Sequence, residues 1–106
     1  MKYNNLDDMF KGWFVGNFEP TALATSACEV AIKRYKAGDK ENSHFHKIGT
    51  EVTVILHGSA AMNGVILKEG QIVTINPGEA TDFLAITDVT TIVVKTPSVV
   101  NDKYTC

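Results

Sequence analysis

The sequence predicts an all-β fold, either a β-sandwich or a small barrel, in a single domain. Six short segments are rich in β-branched and aromatic residues, which favour pleated strands. Turn signals containing glycine, proline, asparagine or aspartate separate these segments. Short strands with frequent turns are typical of two packed sheets or a closed barrel. At 106 residues, the chain is long enough to bury one modest core without disulfide staples.

The predicted strands follow one another along most of the chain. They are residues 28–35, 51–57, 64–68, 71–75, 82–86 and 90–95. The Asn63-Gly64 pair predicts a hairpin, because both of its residues readily take the positive φ that a two-residue turn requires. Positive φ is also expected at Gly38 and Gly58, where a side chain would be costly. Only residues 6–14 are expected to hold a helical turn.

The composition argues against two classes of partner. The formal net charge is −2, so the chain has no basic footprint for nucleic acid or for an anionic membrane surface. No segment approaches the length of a membrane span, and the start, MKYNNLDDMF, lacks the apolar run of a secretory signal. The two cysteines, Cys28 and Cys106, cannot form a disulfide framework. We therefore expect a cytoplasmic protein without a nucleic-acid or membrane partner.

The segment EVTVILH (51–57) predicts which side chains face the interior. If Glu51 points inward, the two-residue period of a strand sends Thr53, Ile55 and His57 inward as well. The alternate residues then form an apolar outer face that needs a cover. They are Val52, Val54 and Leu56.

Two covers are consistent with the sequence: the N-terminal segment or a second subunit. The aromatics Trp13, Phe14 and Phe18 either cap their own domain or form a dimer arm. We predict a homodimer that buries this outer face or these aromatics.

The stretch HFHKIGTE (44–51) predicts a metal site. Two residues apart on a strand, His44 and His46 point to one face with their Cα atoms roughly 6.6 Å apart. If KIGT is a hairpin connection, Glu51 returns beside them on the neighbouring strand. Two imidazoles and a carboxylate suit Fe(II), Mn(II), Ni(II) or Zn(II) and leave positions open for water or substrate. The alternative is a solvated histidine pair at the end of a strand.

The surrounding glycines extend this stretch into a longer motif. Gly38 is followed by five residues, then His44 to His46, four residues, Glu51, six residues and Gly58. This arrangement resembles the first motif of the cupin superfamily, over a domain of roughly residues 25 to 96. The resemblance implies a small single-domain metal-binding cupin with a jelly-roll barrel, or double-stranded β-helix, of at least eight strands. It also implies that His44, His46 and Glu51 are the metal ligands.

The second cupin motif is incomplete in this chain. Gly70 is followed by QIVTI and then by Asn76-Pro77-Gly78, but Thr81 stands where the family has a histidine ligand and Ala85 where it has an asparagine. Threonine is a poor ligand for a divalent transition metal, so we expect Thr81 to line the site while water or substrate fills the fourth position. Strand alternation points Asp82 to the opposite face.

The resemblance implies a metal-dependent enzyme of isomerase or oxygenase type, acting on a small polar molecule inside the barrel. A second interpretation depends on Lys47, because His-x-His-Lys resembles the metal-independent cupin sugar-nucleotide ketoisomerases. A third is a non-catalytic module that binds or senses a small molecule. Outside the motif, Lys33 and Tyr35 share one face of their strand and either reach an anionic substrate or are simply solvated.

The expected organisation has three parts. Residues 1–20 form an N-terminal segment that covers the barrel or a dimer interface, residues 21–100 form the cupin barrel, and residues 101–106 form a C-terminal tail.

Overall fold

The computed structural model describes all 106 residues and confirms an all-β fold. Its strands are β1 (Trp13–Gly16), β2 (Leu23–Ala24), β3 (Glu29–Tyr35), β4 (Lys40–Phe45), β5 (Thr50–His57), β6 (Ala60–Met62), β7 (Val65–Leu67), β8 (Ile72–Ile75), β9 (Thr81–Ala85), β10 (Val89–Thr96) and β11 (Tyr104–Thr105). The helical turn expected within residues 6–14 is a 3-10 turn at Leu6–Asp8. The chain contains no helix with the length and apolar composition of a membrane span.

The strands form two sheets, and from β3 onward the chain passes from one sheet to the other. One sheet has the order β2-β1-β3-β10-β5-β8, and the other has the order β11-β4-β9-β6-β7. Only the short hairpin of β6 and β7 keeps two consecutive strands of this region in one sheet. Because successive strands are added to the two sheets in turn, the chain forms the jelly-roll arrangement expected from the sequence.

The connection KIGT between β4 and β5 is not a hairpin, contrary to one assumption of the sequence interpretation. β4 lies in the five-stranded sheet and β5 in the six-stranded sheet, so the connection crosses from one to the other. The carboxylate of Asp102 holds it by accepting hydrogen bonds from the backbone N–H groups of Lys47 and Gly49 at 2.9 and 2.8 Å. Glu51 therefore reaches the interior from the sheet opposite the histidines.

The interior divides into an apolar end and a polar end. The apolar end is a cluster of seven buried residues: Ile55, Ala60, Met62, Leu67, Phe83, Ala85 and Val89. Strand β5 has Glu51 near the polar end and reaches this cluster at Ile55, and β9 runs in the same way from Thr81 to Ala85. The barrel is thus sealed at one end by packed side chains and hollow at the other.

The inward positions of β5 agree with the prediction except at the end of the strand. Thr53 and Ile55 are buried, but His57 is exposed, and its Nδ1 atom lies 3.2 Å from a carboxylate oxygen of Glu69. The cause is a bulge: β10 advances by one residue, from Thr91 to Thr90, while β5 advances from Ile55 to His57. An extra residue breaks the alternation, so His57 turns away from the interior.

Turn geometry agrees with the sequence at the predicted glycines. Gly38 and Gly58 have φ values of 92° and 83°. A Cβ atom at Gly58 would collide with the carbonyl oxygen of Asp88, so a side chain is excluded by space as well as by φ. Asn63 and Gly64, with φ of 50° and 77°, make the hairpin turn between β6 and β7.

The outer face of the six-stranded sheet is apolar over several strands. Register pairs Ile92 with Ile32 on one side and with Val54 on the other, and Val54 pairs in turn with Ile72. The side chain of Ile72 is 63% exposed. The outer face predicted from β5 alone is therefore one part of a wider apolar surface.

Candidate functional site

The polar end of the barrel opens into a cavity of about 490 Å³. All four of the predicted site residues line it: His44, His46, Glu51 and Thr81. A volume of a few hundred cubic ångströms is typical of sites for small molecules and cofactors. The structure therefore brings the residues singled out in the sequence to one cavity, although they belong to two different sheets.

A bulge in β4 directs His44 into this cavity. The register between β4 and β9 runs from Glu41 opposite Phe83 to His44 opposite Thr81, which is three residues along β4 against two along β9. The extra residue shifts the alternation, so both Glu41 and His44 line the cavity although they are three residues apart.

The two histidines present nitrogen atoms that are free to bind a ligand. Their ring centroids lie 5.3 Å apart, with the rings nearly perpendicular. The Nδ1 atom of His44 lies 3.1 Å from the backbone oxygen of Asn42. Because a carbonyl oxygen only accepts, Nδ1 carries a proton, and Nε2 is the atom that would bind a ligand.

His46 is the most unusual polar residue of the interior. It is only 7% exposed, and its Nε2 atom is buried without a hydrogen-bond partner. Burial lowers the pKa of the His46 imidazole, and the nearby charge of Lys95 lowers it further, so the ring is neutral at neutral pH. A buried polar atom without a partner is uncommon and points to a bound ion or molecule.

Glu51 belongs to a row of charged residues that crosses three strands. Lys95 on β10 pairs in register with Glu51 on one side and with Glu29 on the other. Its ammonium group lies 2.6 Å from an oxygen of Glu29, whose second oxygen accepts a hydrogen bond from Ser98 at 2.8 Å. Glu51 itself accepts a hydrogen bond from the hydroxyl of Thr53 at 2.9 Å. The charge of Lys95 is thus matched mainly by Glu29, and Glu51 keeps an oxygen for another partner.

These donors suit a divalent transition metal by their chemistry, because two imidazoles and a carboxylate are common ligands of such ions. The unpartnered Nε2 atom of His46 fits the same group. In the side-chain positions of this structure, however, no three histidine, cysteine, aspartate or glutamate residues lie close enough together to hold one ion. The residues share a cavity without forming a closed set of ligands.

Thr81 is buried on the inner face of β9, whereas Asp82 is exposed, although it also lines the cavity. Thr81 is 7% exposed, and its hydroxyl donates a hydrogen bond to the backbone oxygen of Asp82 at 3.0 Å. The Asp82 carboxylate is engaged elsewhere, since it accepts a hydrogen bond from the backbone N–H of Asn63 at 2.8 Å. Thr81 lies opposite His44 in the register, at the position where a fourth side chain would face the histidines.

Strand β3 contributes cavity residues that the sequence left open. Lys33 and Tyr35 both line the cavity, so their shared face is the inner one. The Tyr35 hydroxyl donates a hydrogen bond to Glu41 at 3.0 Å, and burial, together with the Glu41 charge, raises the pKa of Tyr35. Strand alternation correctly grouped the two residues, but which face was buried depended on the neighbouring strands.

The N-terminal aromatics also reach this cavity. Trp13 and Phe18 line it, with their ring centroids 6.4 Å apart. The ammonium groups of Lys33 and Lys95 each lie 5.2 Å from the centroid of the Trp13 ring. These distances are typical of cation–π contacts, so Trp13 holds two lysines of the cavity wall.

Lys47, on which the similarity to ketoisomerases depends, lies outside the cavity. Its ammonium group lies over the ring of Tyr104, 4.2 Å from the centroid. Lys47 is absent from the cavity lining, so in this structure it does not face the histidines.

Comparisons with known proteins identify the fold. No protein-family model matches the chain, and no curated protein matches it. It is similar to a conserved protein with a double-stranded beta-helix domain from Klebsiella pneumoniae, at 24% identity and a TM-score of 0.65, over 76% of this chain and 75% of that one. It is also similar to a sugar phosphate isomerase from a cupin superfamily of Silicibacter pomeroyi, at 21% identity and a TM-score of 0.63, over 71% and 52%. The chain has the cupin fold.

Another similar solved structure belongs to a protein with metal centers. Oxalate decarboxylase from Bacillus subtilis, which has Mn(II) centers, matches at 18% identity and a TM-score of 0.66. The match covers 76% of this chain but only 24% of the decarboxylase, so it concerns one domain of a much longer protein. At these identities the likeness extends to the fold, while the activity has to be argued from the site.

Proposed function

We propose that this protein is a metal-dependent cupin enzyme that acts on a small polar molecule bound in its cavity. The ligands of the metal are His44, His46 and Glu51, and the metal is Fe, Mn, Ni or Zn. The observation that carries the proposal is the buried Nε2 atom of His46, which has no hydrogen-bond partner and belongs to a neutral ring beside a second histidine.

Closing the ligand set requires side-chain movement. The three side chains line one cavity, so we expect rotation about their χ angles to bring them to a common ion. Glu51 reaches it by turning the oxygen that does not accept the hydrogen bond from Thr53. Thr81 lines the site without ligating, and water or substrate completes the shell.

The remaining cavity residues favour an isomerase over an oxygenase. A bound metal would supply Lewis-acid polarisation of a substrate oxygen. Tyr35 and Glu41 form a hydrogen-bonded pair in the same cavity, in which a protonated hydroxyl faces a carboxylate. Because the pKa of Tyr35 is raised, its hydroxyl stays protonated and orients Glu41, and Glu41 is the group that can accept a proton from a bound substrate, the step that isomerisation needs.

A metal titration tests the proposal. Zn(II) or Mn(II) binding is measured calorimetrically for the wild type, for His46→Ala and for His57→Ala. His57 is the matched control, because it is an exposed histidine outside the cavity. We expect His46→Ala to lose at least about tenfold in affinity, since one of three ligands is removed, and His57→Ala to bind as the wild type does. Equal affinity of wild type and His46→Ala would refute the site.

A non-catalytic binding module is the second candidate, and one observation favours it. Thr81 occupies the position of the fourth ligand, and its hydroxyl is engaged with the backbone. A barrel that binds no metal but takes up small polar molecules in the same cavity would support this alternative. The metal titration distinguishes the two candidate functions, because only the metal-dependent enzyme requires His44, His46 and Glu51 to bind one ion.

We further propose that the protein is a homodimer whose interface is the apolar outer face of the six-stranded sheet. The exposed Ile72 and Leu56, together with half-buried Val52 and Val54, support a second copy of the chain as the cover. Trp13 and Phe18 line the cavity, so the sheet face is the better candidate for the interface.

A further inference from the structure

A second recess adjoins the cavity and is lined by cations. Its volume is about 470 Å³, and most of its wall is shared with the cavity: Lys11, Lys33, Tyr35, Glu41, His44 and Lys103 line both. Four basic residues line it: Lys11, Lys33, Arg34 and Lys103. The protein as a whole has a net charge of −2, so this concentration of positive charge is a local feature.

Three separate segments bring these lysines together. Lys11 precedes β1, Lys33 lies in β3 and Lys103 precedes β11. The charges are close enough to act on one another: burial lowers the pKa of Lys33, the Glu41 carboxylate opposes this shift, and the ammonium groups of Lys103 and Lys11 add to it. Convergence of like charges is unfavourable unless an anion compensates it.

No carboxylate forms an ion pair with these three lysines. The ion pairs of the protein join Lys95 to Glu29, Arg34 to Asp7 and, when the histidine is charged, His57 to Glu69. Glu41 is the one acidic residue that lines the recess, and it accepts the hydrogen bond from Tyr35. Among the residues that line the recess, these three ammonium groups outnumber the single carboxylate by two, although the Glu51 carboxylate in the adjoining cavity also acts on Lys33.

We propose that this lysine cluster, Lys11, Lys33 and Lys103, binds the phosphate group of a small phosphorylated molecule. A phosphate monoester carries close to two negative charges at neutral pH, which matches the local excess. Lysine ammonium groups bind phosphate as point charges and need no fixed fork geometry. His44 lines both the recess and the cavity, so a molecule held here by its phosphate extends towards the histidine pair.

This inference rests on the proposed function only for the position of the remainder of the molecule. Phosphate binding itself needs the lysines and not the metal. The substrates of the proposed enzyme are therefore small phosphorylated polar molecules. Phosphate binding is measured separately from metal binding.

The only tryptophan of the chain provides the measurement. Trp13 contacts Lys33, whose ammonium group lies 5.2 Å from its ring, so its fluorescence reports on the cluster. Inorganic phosphate, glucose 6-phosphate and glucose are titrated at constant ionic strength with a chelator present. We expect saturable signals for the first two, tighter binding of the sugar phosphate, and no signal for glucose.

Variants then assign the binding to the cluster. We expect Lys33→Gln and Lys103→Gln each to weaken phosphate binding about tenfold or more, because each removes a charged contact. Lys68→Gln is the control, since Lys68 is exposed and lies outside both the cavity and the recess. Lys103 is also exposed, so its variant tests the cluster without disturbing the partly buried Lys33.

The proposal is overturned if phosphate gives no saturable signal, or if Lys68→Gln weakens binding as much as the cluster variants. It is also overturned if malate, a dicarboxylate titrated in the same way, binds more tightly than phosphate. Failure of the proposed metal site is distinguishable, because His46→Ala would then bind metal as the wild type does while phosphate binding is unaffected. If the wild type binds metal as expected but does not bind phosphate, the lysine cluster alone is overturned.

Discussion

Single residues fix the state of the polar atoms in the cavity. The hydrogen bond from His44 Nδ1 to the Asn42 carbonyl sets the tautomer of that ring. The ion pair between Lys95 and Glu29 keeps the lysine at the cavity wall, where its charge disfavours protonation of His46. Both contacts leave the histidine Nε2 atoms free for a ligand.

Replacing Thr81 with histidine tests the fourth ligand position. Thr81 is buried at the cavity and lies opposite His44 in the register, so an imidazole there faces the histidine pair. We expect Thr81→His to tighten Zn(II) binding by about tenfold or more, because it adds a preferred ligand. Thr74→His, at an exposed position of β8, is the control and should leave the affinity unchanged. A titration in which Thr81→His gains nothing would rule out the assignment of this position.

Asp102 links stability to pH through the connection between β4 and β5. Burial opposes ionisation of its carboxyl, but hydrogen bonds from Gly49, Lys47 and Ile48 prevail and hold its pKa below the ordinary value of 3.8. A carboxyl with a lowered pKa in the folded state stabilises above its unfolded pKa, and this contribution is lost as the pH falls through the folded value.

We therefore expect Asp102→Asn to lower the free energy of unfolding at pH 7 by about 2 kcal/mol, since charged acceptors of backbone N–H groups are lost. The difference from the wild type should shrink as the pH falls below about 4, because the wild-type carboxyl is then protonated as well. Urea unfolding at several pH values measures it. A difference that stays constant from pH 7 to pH 3 would contradict this role of Asp102.

At the scale of strands, the sequence predicted local features and missed those that depend on partners. The alternation of β5 correctly placed Thr53 and Ile55 inside, because a two-residue period is a property of the strand itself. It failed at His57, where the bulge arises from the pairing with β10. The spacing of His44, His46 and Glu51 indicated a shared site because these residues belong to a longer motif, which runs from Gly38 to Gly58.

The path of the KIGT connection could not be read from its length. Four residues are enough for a hairpin, but this connection crosses between sheets and is held by Asp102, which is 53 residues away from Gly49 in the chain. In the same way, the lysine cluster combines residues from both ends of the chain and from β3. No local pattern joins such positions, so only the folded structure brings them together.

The whole molecule has two faces with different properties. The polar end of the barrel contains the cavity and the lysine cluster, while the outer side of the six-stranded sheet is apolar. Exposed branched side chains on a sheet face favour association with another surface. Because the cavity and this sheet face are distinct, dimerisation through the sheet leaves the site accessible.

A matched pair of variants tests the homodimer. Ile72, which is 63% exposed, lies on the apolar sheet face, and Ile66, which is 60% exposed, lies on the other sheet. We expect a dimeric mass for the wild type and for Ile66→Lys by sedimentation equilibrium, and a monomeric mass for Ile72→Lys, because a buried charge opposes association. A monomeric wild type, or a dimer that survives Ile72→Lys, would argue against this interface.

The most direct measurement of the metal site is the anomalous scattering of crystals prepared with Mn(II) or Zn(II). We expect one strong anomalous peak in the cavity, within bonding distance of the Nε2 atom of His46 and of ligand atoms from His44 and Glu51, with Glu51 rotated from the position it has here. Crystals of His46→Ala should lack that peak. A peak only at exposed residues such as His57 and Glu69, or no peak in the cavity at saturating metal, would contradict a metal site at His44, His46 and Glu51.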